Sequence, residues 1–521
     1  MKREELLHRL EQKQVYDMLV IGGGATGLGI AVDAASRGYK VVLIEQHDFS
    51  KGTSSRSTKL VHGGVRYLAQ GDIKLVIEAL RERGRMRRNA PHLVKDMRFI
   101  IGNYKWWERS YYTIGLTCYD VLAGKMGLGR SLPMTSKKVM EEIPGLRTNG
   151  LKGGVVYHDG QFDDSRLAVS LAQTAFDNGG ICANYIKATG LIKDIDGKLV
   201  GIEASDMLSG KQFRIKSKCV INATGVFVDD LMGMDIPKSE KKVRPSQGVH
   251  LVVDKKFLGD SKSAIMIPKT DDGRVLFGVP WHDKVVLGTT DTPLNDADME
   301  PRALEEEVDF ILNQAGQYLA MKPKRSDVLS VFAGLRPLAA PSKGEQKTKE
   351  ISRSHKLYKS KSGMITITGG KWTTYREMAE EVVDEAIKTN GLSPRKCVTA
   401  NMKVHGYATK VDESKWDYVY GSDIDNINKL IKKENSYDAL LHPEYTFKEA
   451  HVVWAVRKEL AQTVEDVLAR RVRALFVDAR AAIEMAPRVA QILAKELKKS
   501  AEWETEQIKE FTKVAKGYIV A

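Results

Sequence analysis

The sequence predicts an α/β protein with a mixed or antiparallel second sheet and a C-terminal α-helical domain. Three patterns predict it. Residues 15–44 run apolar stretch, glycine turn, small-residue helix, apolar stretch. Residues 245–340 alternate apolar and polar in short runs such as HLVVD, RVLFGVP and KVVLGTTD. Beyond about residue 395, apolar residues recur at three- and four-residue steps. At 521 residues the chain exceeds one compact core, so two or three domains are expected.

The first element is the most specific. Val15–Ile21 reads as a strand, Ala25–Arg37 as a helix stopped by Gly38, and Lys40–Ile44 as a second strand. Between strand and helix, Gly22, Gly24 and Gly27 fit GxGxxG. The first glycine permits a tight turn, the second a close approach to a pyrophosphate, the third close packing of helix on strand. Ala25 and Thr26 open the helix, whose unpaired N–H groups and dipole favour an anion. Glu45 ends the second strand, where a carboxylate accepts from ribose hydroxyls and disfavours a 2′-phosphate. Next comes a hydroxyl-rich stretch, Thr53-Ser54-Ser55-Arg56-Ser57-Thr58-Lys59-Leu60, suited to a long polar ligand.

Later elements follow in order. Trp106, Trp107, Tyr111 and Tyr112 read as core residues of a helix pair, with an interfacial aromatic belt as the alternative. Val155–Tyr157 and Cys219–Asn222 read as strands flanking a helix over Ser165–Phe176, with Asp163 and Asp164 as its cap rather than an acid–base pair. Two more strand ends carry glycine, Val220–Gly225 and Ile365–Lys371. Three such ends suggest one extended ligand over several strand C-termini. A helix follows from Thr373, and Ser342–Lys349 reads as an exposed loop. Val453, Val456, Leu460, Val464, Val467, Leu468 and Val472 are expected on one face of a long helix, and Pro487 at the start of another.

Charge and cysteine usage limit the alternatives. The net charge of +14, from 81 basic and 67 acidic residues, favours anionic partners. Arg457, Lys458, Arg470, Arg471, Arg473 and Arg488 form a basic set on the C-terminal helices. They are read either as a solvated helix face or as a contact to anionic lipid. Cys118, Cys182, Cys219 and Cys397 form no CxxC pair, so no zinc or dithiol site is expected, and no other metal cluster stands out. No run of 18 apolar residues occurs, so any membrane contact is expected from one side.

The ordered motifs GGGATGLG, TSSRSTKLVHGGVRYL, APHL, QFDDSRL, INATGVFVDD, GTTD, GLRPL and GGKWTTYREMAEE resemble the FAD-dependent, respiratory glycerol-3-phosphate dehydrogenases, within the D-amino-acid-oxidase-like flavoproteins. The resemblance covers residues 15–390 strongly and the remainder more weakly. It implies a Rossmann-like FAD-binding domain in three parts (1–90, 151–240, 346–394), a substrate or cap domain in two (91–150, 241–345), and a C-terminal helical domain (395–521).

It further implies oxidation of sn-glycerol 3-phosphate to dihydroxyacetone phosphate, with FAD as hydride acceptor and a membrane quinone as electron acceptor. Oxidase relatives use oxygen and release peroxide instead. Gly22, Gly24, Ala25, Thr26, Gly27, Glu45, Thr53, Ser54, Ser55, Thr58, Lys59, Leu60, Gly225, Gly370, Lys371 and Thr373 are the expected FAD contacts. Arg66, Tyr67, Arg336 and Lys371 are expected to bind the substrate. His62 is the first choice for the base that takes the C2 hydroxyl proton, His250 the runner-up, and Arg336 the group that polarises the C2 oxygen. The resemblance places the enzyme at the cytoplasmic face of the inner membrane, peripherally attached to an anionic lipid surface, and is compatible with a homodimer. A basic RNA-binding flavoprotein is the remoter alternative. The C-terminal part lacks the interleaved stacking aromatics such binding uses, so no nucleic-acid partner is expected.

Overall fold

The computed structural model describes residues 2–69, 71–271, 273–340 and 355–520, apart from the side chains of Arg66 and Ala69. The expected loop at Ser342–Lys349 lies outside the described residues.

Two sheets dominate. In the first, Met18–Ile21 lies between Val41–Ile44 and Val220–Asn222, all parallel. Ile181–Ala183 extends one side and Ile365–Thr368 the other, and Lys356–Lys359 closes the edge antiparallel. Their runs of Val, Ile and Leu are buried on both faces, as a helix-covered parallel sheet requires. Helix Ala25–Ser36 packs so closely on helix Tyr375–Thr389 that a Cβ on Gly29 would lie 2.8 Å from the Tyr375 ring. Strand order sets the three glycine-bearing ends side by side, as expected from their sequence.

The second sheet is mostly antiparallel, with one parallel pair. Its longest pairing joins Val243–Asp254 to Val328–Ala339, with Ser246 opposite Arg336, Gly248 opposite Gly334 and His250 opposite Phe332. The segment 151–240 was expected to return to the first sheet. It begins with Gly153–Phe162, which pairs with Val94–Asn103 in the second sheet. Helix Asp164–Asp177 follows it and packs on helix Ala25–Ser36.

Three other expectations are corrected. The run from Val453 to Val472 is not one helix. Helix Glu449–Glu459 ends at Leu460, whose φ of 59° is left-handed, and a π-helical turn covers Asp466–Arg471. Apart from the half-buried Val456, the apolar residues of this run are still buried, in a core continuous with that of the parallel sheet. The C-terminal helices share that core with the parallel sheet. Pro487 lies inside helix Ala479–Leu497, not at its start, because Asp478 caps the N-terminus by accepting from Arg480 N and Ala481 N.

The aromatic segment is the third correction. Helix Glu108–Ala123 buries Leu116, Tyr119 and Ala123, yet Trp106, Trp107 and Tyr111 are 87%, 43% and 59% exposed. Only one face of this helix meets the cap, so these three rings are not core. Tyr112 is half-buried.

Candidate functional site

The glycine turn behaves as its spacing requires. Gly22 has φ +114°, and a Cβ there would sit 2.5 Å from Ala223 O. A Cβ on Gly27 would lie 1.9 Å from Gly22 O, so only glycine lets helix and strand pack at this distance. Gly24 caps the helix with no side chain, and the first turn carries no acidic residue. Ala25 N donates to Ser54 Oγ at 2.9 Å. Glu45 accepts from Gly23 N at 2.7 Å and His47 N at 2.8 Å; burial raises its pKa against those two bonds.

Three cavities with shared lining residues start here. The first, about 310 Å³, is lined by Gly22, Gly24, Glu45, Thr53, Ser54 and Gly225, among others. A second, about 220 Å³, shares Thr53 with it and adds Thr58, His250, Gly370, Lys371 and Thr373. A third, about 210 Å³, shares Thr58, Leu60, His62, Tyr67 and Arg336 with the second and adds Arg274 and Asp159. Side-chain-free glycines, an anion-accepting helix N-terminus, a ribose-accepting carboxylate and this elongated hollow together fit FAD.

The strand register builds the inner site. Arg336 extends across Gly248, where a Cβ would meet its Nη2 at 2.3 Å. Arg336 donates to Gln247 O at 3.2 Å, Thr290 O at 3.0 Å, Thr289 Oγ1 at 3.2 Å and Asp291 Oδ1 at 3.2 Å. The GTTD motif is therefore the guanidinium's cradle. Glu307 braces that cradle from behind, accepting from Gln247, Thr290 and Thr292. His250 occupies the space that a side chain on Gly288 would fill. Its ring stacks on Phe332, and its Nε2 lies 2.8 Å from Thr58 Oγ1. Burial holds its pKa well below the usual histidine range, assisted by Lys59 and Arg336, so the ring is neutral.

His62 is half-buried and lines both inner cavities. Its turn is held from two sides. His62 N donates to Thr373 Oγ1 at 3.3 Å, and Gly63 N donates to Tyr119 OH at 2.7 Å. Tyr119 in turn donates to Asp159, which also accepts from Arg83 at 2.6 Å. Lys371 Nζ lies 3.9 Å from the centroid of the Tyr67 ring.

Most expected site residues thus converge. Gly22, Gly24, Glu45, Thr53, Ser54, Thr58, Leu60, Gly225, Gly370, Lys371 and Thr373 line the cavities, as do His62, Tyr67, His250 and Arg336. Ala25, Thr26 and Gly27 form the first helical turn beside them. The Arg66 side chain lies outside the described residues. Ser55 and Lys59 line none of these three cavities. Lys59 is fully buried, its Nζ 2.7 Å from both Asp164 Oδ2 and Ser55 O. Burial lowers its pKa to about 8. Asp163 is the helix cap, accepting from Arg166 N at 2.9 Å, as the sequence suggested.

The basic C-terminal set is also corrected. Arg470, Arg471 and Arg473 are buried, paired with Asp48, Glu465, Asp466 and Asp164. Arg457 pairs with Glu496 and Arg488 with Glu449. Sequence reasoning missed Arg274, Asp159 and Tyr119. Arg274 opens a strand-like run with no motif around it; only the folded sheet brings it to a cavity that Arg336 also lines.

Comparison with known proteins agrees with this geometry. Residues 17–376 match the FAD dependent oxidoreductase family, and residues 364–504 match the C-terminal domain of alpha-glycerophosphate oxidase. The chain is 39% identical to a probable mitochondrial glycerol-3-phosphate dehydrogenase of Caenorhabditis elegans, over 95% of this chain and 72% of that one. Against the mitochondrial glycerol-3-phosphate dehydrogenase of Schizosaccharomyces pombe it is 36% identical, over 99% and 89%. The solved glycerol-3-phosphate dehydrogenase of Bacillus halodurans, complexed with FAD, superposes with a TM-score of 0.80 at 30% identity, covering 99% of this chain and 97% of that one. The expected fold class and cofactor are borne out, and the chain belongs to the FAD-dependent glycerol-3-phosphate dehydrogenases.

Proposed function

We propose that this enzyme oxidises sn-glycerol 3-phosphate at C2 to dihydroxyacetone phosphate and delivers the electrons to a membrane quinone at the cytoplasmic face of the inner membrane. The observation that carries the reading is that the glycine-turn cavity shares Thr53 with the first of two cation-lined cavities, which themselves share His62 and Arg336. When bound, FAD supplies the hydride acceptor. Gly22, Gly24, Glu45 and Ser54 would hold its dinucleotide end, and Thr58, Gly370 and Thr373 its ring end.

The chain's own residues then divide the work. Arg274 and Lys371 are the cations for the substrate phosphate dianion, with Tyr67 between the cavities and Arg66 as a further ligand. Arg336, fixed by the GTTD cradle, stabilises negative charge on the C2 oxygen. His62 takes the C2 hydroxyl proton, because it alone of the two histidines lines both inner cavities. His250, its Nε2 beside Thr58, orients the substrate. The domain partition expected from the sequence, with FAD-binding parts at 1–90, 151–240 and 346–394, serves this division of labour.

The test is anaerobic. Addition of sn-glycerol 3-phosphate to the yellow holoenzyme should bleach the visible flavin band; an unbleached band refutes the reading. Arg336→Ala should slow bleaching roughly a hundredfold while FAD stays bound. A His62→Ala rate that keeps the parent pH profile would transfer the proton to His250. Rapid peroxide release in air would replace quinone by oxygen as acceptor.

A further inference from the structure

The His62–Gly63 turn belongs to a closed circuit of bonds. Gly63 N donates to Tyr119 Oη at 2.7 Å, and Tyr119 donates to Asp159 Oδ2 at 2.9 Å. Asp159 Oδ1 accepts from Arg83 at 2.6 Å. Glu82, the residue before Arg83 on helix Ile73–Asn89, accepts two bonds from Arg376, at 2.7 and 2.9 Å. Three positions before Arg376, Thr373 Oγ1 accepts from His62 N at 3.3 Å and closes the circuit. Tyr119, Asp159, Arg83, Glu82 and Arg376 are each 5% exposed or less.

The direction of each bond is fixed by the groups present. A backbone N–H can only donate, so Tyr119 must accept from Gly63, and its single O–H proton is left for Asp159. Asp159 accepts at both oxygens and supplies the counter-charge that the buried Arg83 guanidinium requires. Burial raises the Asp159 pKa, and Arg83 opposes that shift.

Asp159 also lines the cavity assigned to the substrate, together with His62 and Arg274. A carboxylate there repels a phosphate dianion, so substrate recognition does not explain it. Support of the turn does. A Cβ on Gly63 would lie 2.5 Å from both Tyr119 Oη and Leu80 Cδ2, so the turn is seated on that hydroxyl without slack. Phenylalanine would fill the same volume; only the hydroxyl needs Asp159, and only Asp159 needs Arg83.

We propose that Tyr119, Asp159 and Arg83 are positioning residues that set where His62 stands in the two inner cavities, and that the Glu82–Arg376 pair ties this setting to the Thr373 side of the site. The inference rests on the reading of His62 as the base and adds what holds it in place. A displacement of about 1 Å can cost a catalytic group roughly a hundredfold in rate.

The test is rapid anaerobic mixing of holoenzyme with a concentration series of sn-glycerol 3-phosphate. Tyr119→Phe should lower the limiting rate of flavin bleaching roughly tenfold or more, with the substrate dissociation constant, FAD content and flavin spectrum unchanged. Glu82→Gln, at a residue that lines none of the three cavities, should act in the same way to a smaller degree. In a His62→Ala background, Tyr119→Phe should add almost nothing, because the group it positions is gone. A full additional loss in that background, or a loss seen only as weaker substrate binding or lost FAD, would overturn the inference and leave His62 as the base. A parent rate in both Tyr119→Phe and Glu82→Gln would overturn it too, reducing the circuit to packing. A His62→Ala enzyme that bleaches at the parent rate would refute the base reading itself, and the inference with it.

Discussion

Two regions of this molecule invert the ordinary rule that charges lie outside and aromatics inside. At the joint between the C-terminal helices and the parallel-sheet domain, Lys59, Arg166, Arg470, Arg471 and Arg473 are fully or almost fully buried among Asp48, Asp163, Asp164, Glu459 and Asp466. On the cap, helix Glu108–Ala123 turns Trp107, Tyr111, Ile114 and Val121 outward. The first is an inversion satisfied within the chain. Asp48 accepts from Arg470 at 2.7 Å and from Arg471 at 2.8 and 2.9 Å, and Arg166 meets Glu459 with paired bonds of 2.8 Å. The second inversion is not satisfied within the chain. Hydrophobic side chains left in water require an external partner or serve none, and a stripe this continuous indicates a partner.

The difference also separates roles. The buried charges stand behind residues 46–54, whose other side lines the first cavity. Ser55 O, held by both Lys59 and Arg473, shows how the C-terminal helices fix the hydroxyl-rich stretch from the rear. The apolar stripe lines none of the three cavities; the inner face of its helix supports their lining, through the bonds of Tyr119 to Gly63 and Asp159.

If the first region is a closed ionic network and the second an open surface, substitutions should differ sharply in cost. Asp48→Ala leaves two buried guanidiniums short of a partner, and should destabilise the holoenzyme by about 3–5 kcal/mol, read by denaturant unfolding. A loss below about 1 kcal/mol would mean that water already reaches the cluster, breaking the contrast. His405 sharpens it at the rim of the same joint. Asp177 Oδ2 at 2.6 Å and Asp423 Oδ2 at 3.1 Å raise its pKa to about 9, against desolvation. A raised pKa favours the folded state fully below the unfolded value near 6.5, and the gain is lost as pH rises through about 9. His405→Gln should therefore cost on the order of 2 kcal/mol at pH 6 and almost nothing above about pH 9. A cost independent of pH would show a packing role instead. Trp107→Ser, on the open stripe, should change stability by no more than about 0.5 kcal/mol in lipid-free solution; a large loss there would show that the stripe is covered by the protein itself.

These two regions also mark where the sequence was hard to read. The βαβ unit was legible because each glycine acts on its own backbone or a near neighbour, and because Glu45 follows at a spacing set by one helix and one strand. The HGG and GGK turns were legible as motifs, and both reached the cavities. Arg470, Arg471 and Arg473 read as surface because a charge is normally solvated; their counter-charges Asp48 and Asp164 lie hundreds of residues earlier. Trp106, Trp107 and Tyr111 read as core because aromatic area is normally buried. Nothing in a helix periodicity says which of two apolar faces finds a cover. The break at Leu460 was equally hidden, since the apolar spacing continues through it.

By itself, the sequence determined the dinucleotide turn and the α/β class with its antiparallel second sheet, because backbone conformation and strand periodicity are short-range properties of the residues concerned; FAD followed from the family resemblance of the ordered motifs. Tertiary structure alone decided that Arg274 and Arg336 line one cavity, that Gly248 and Gly288 are the spaces in which Arg336 and His250 stand, and which charges are buried. Those outcomes depend on desolvation and on partners delivered by distant strands, and no local stretch of chain contains that information.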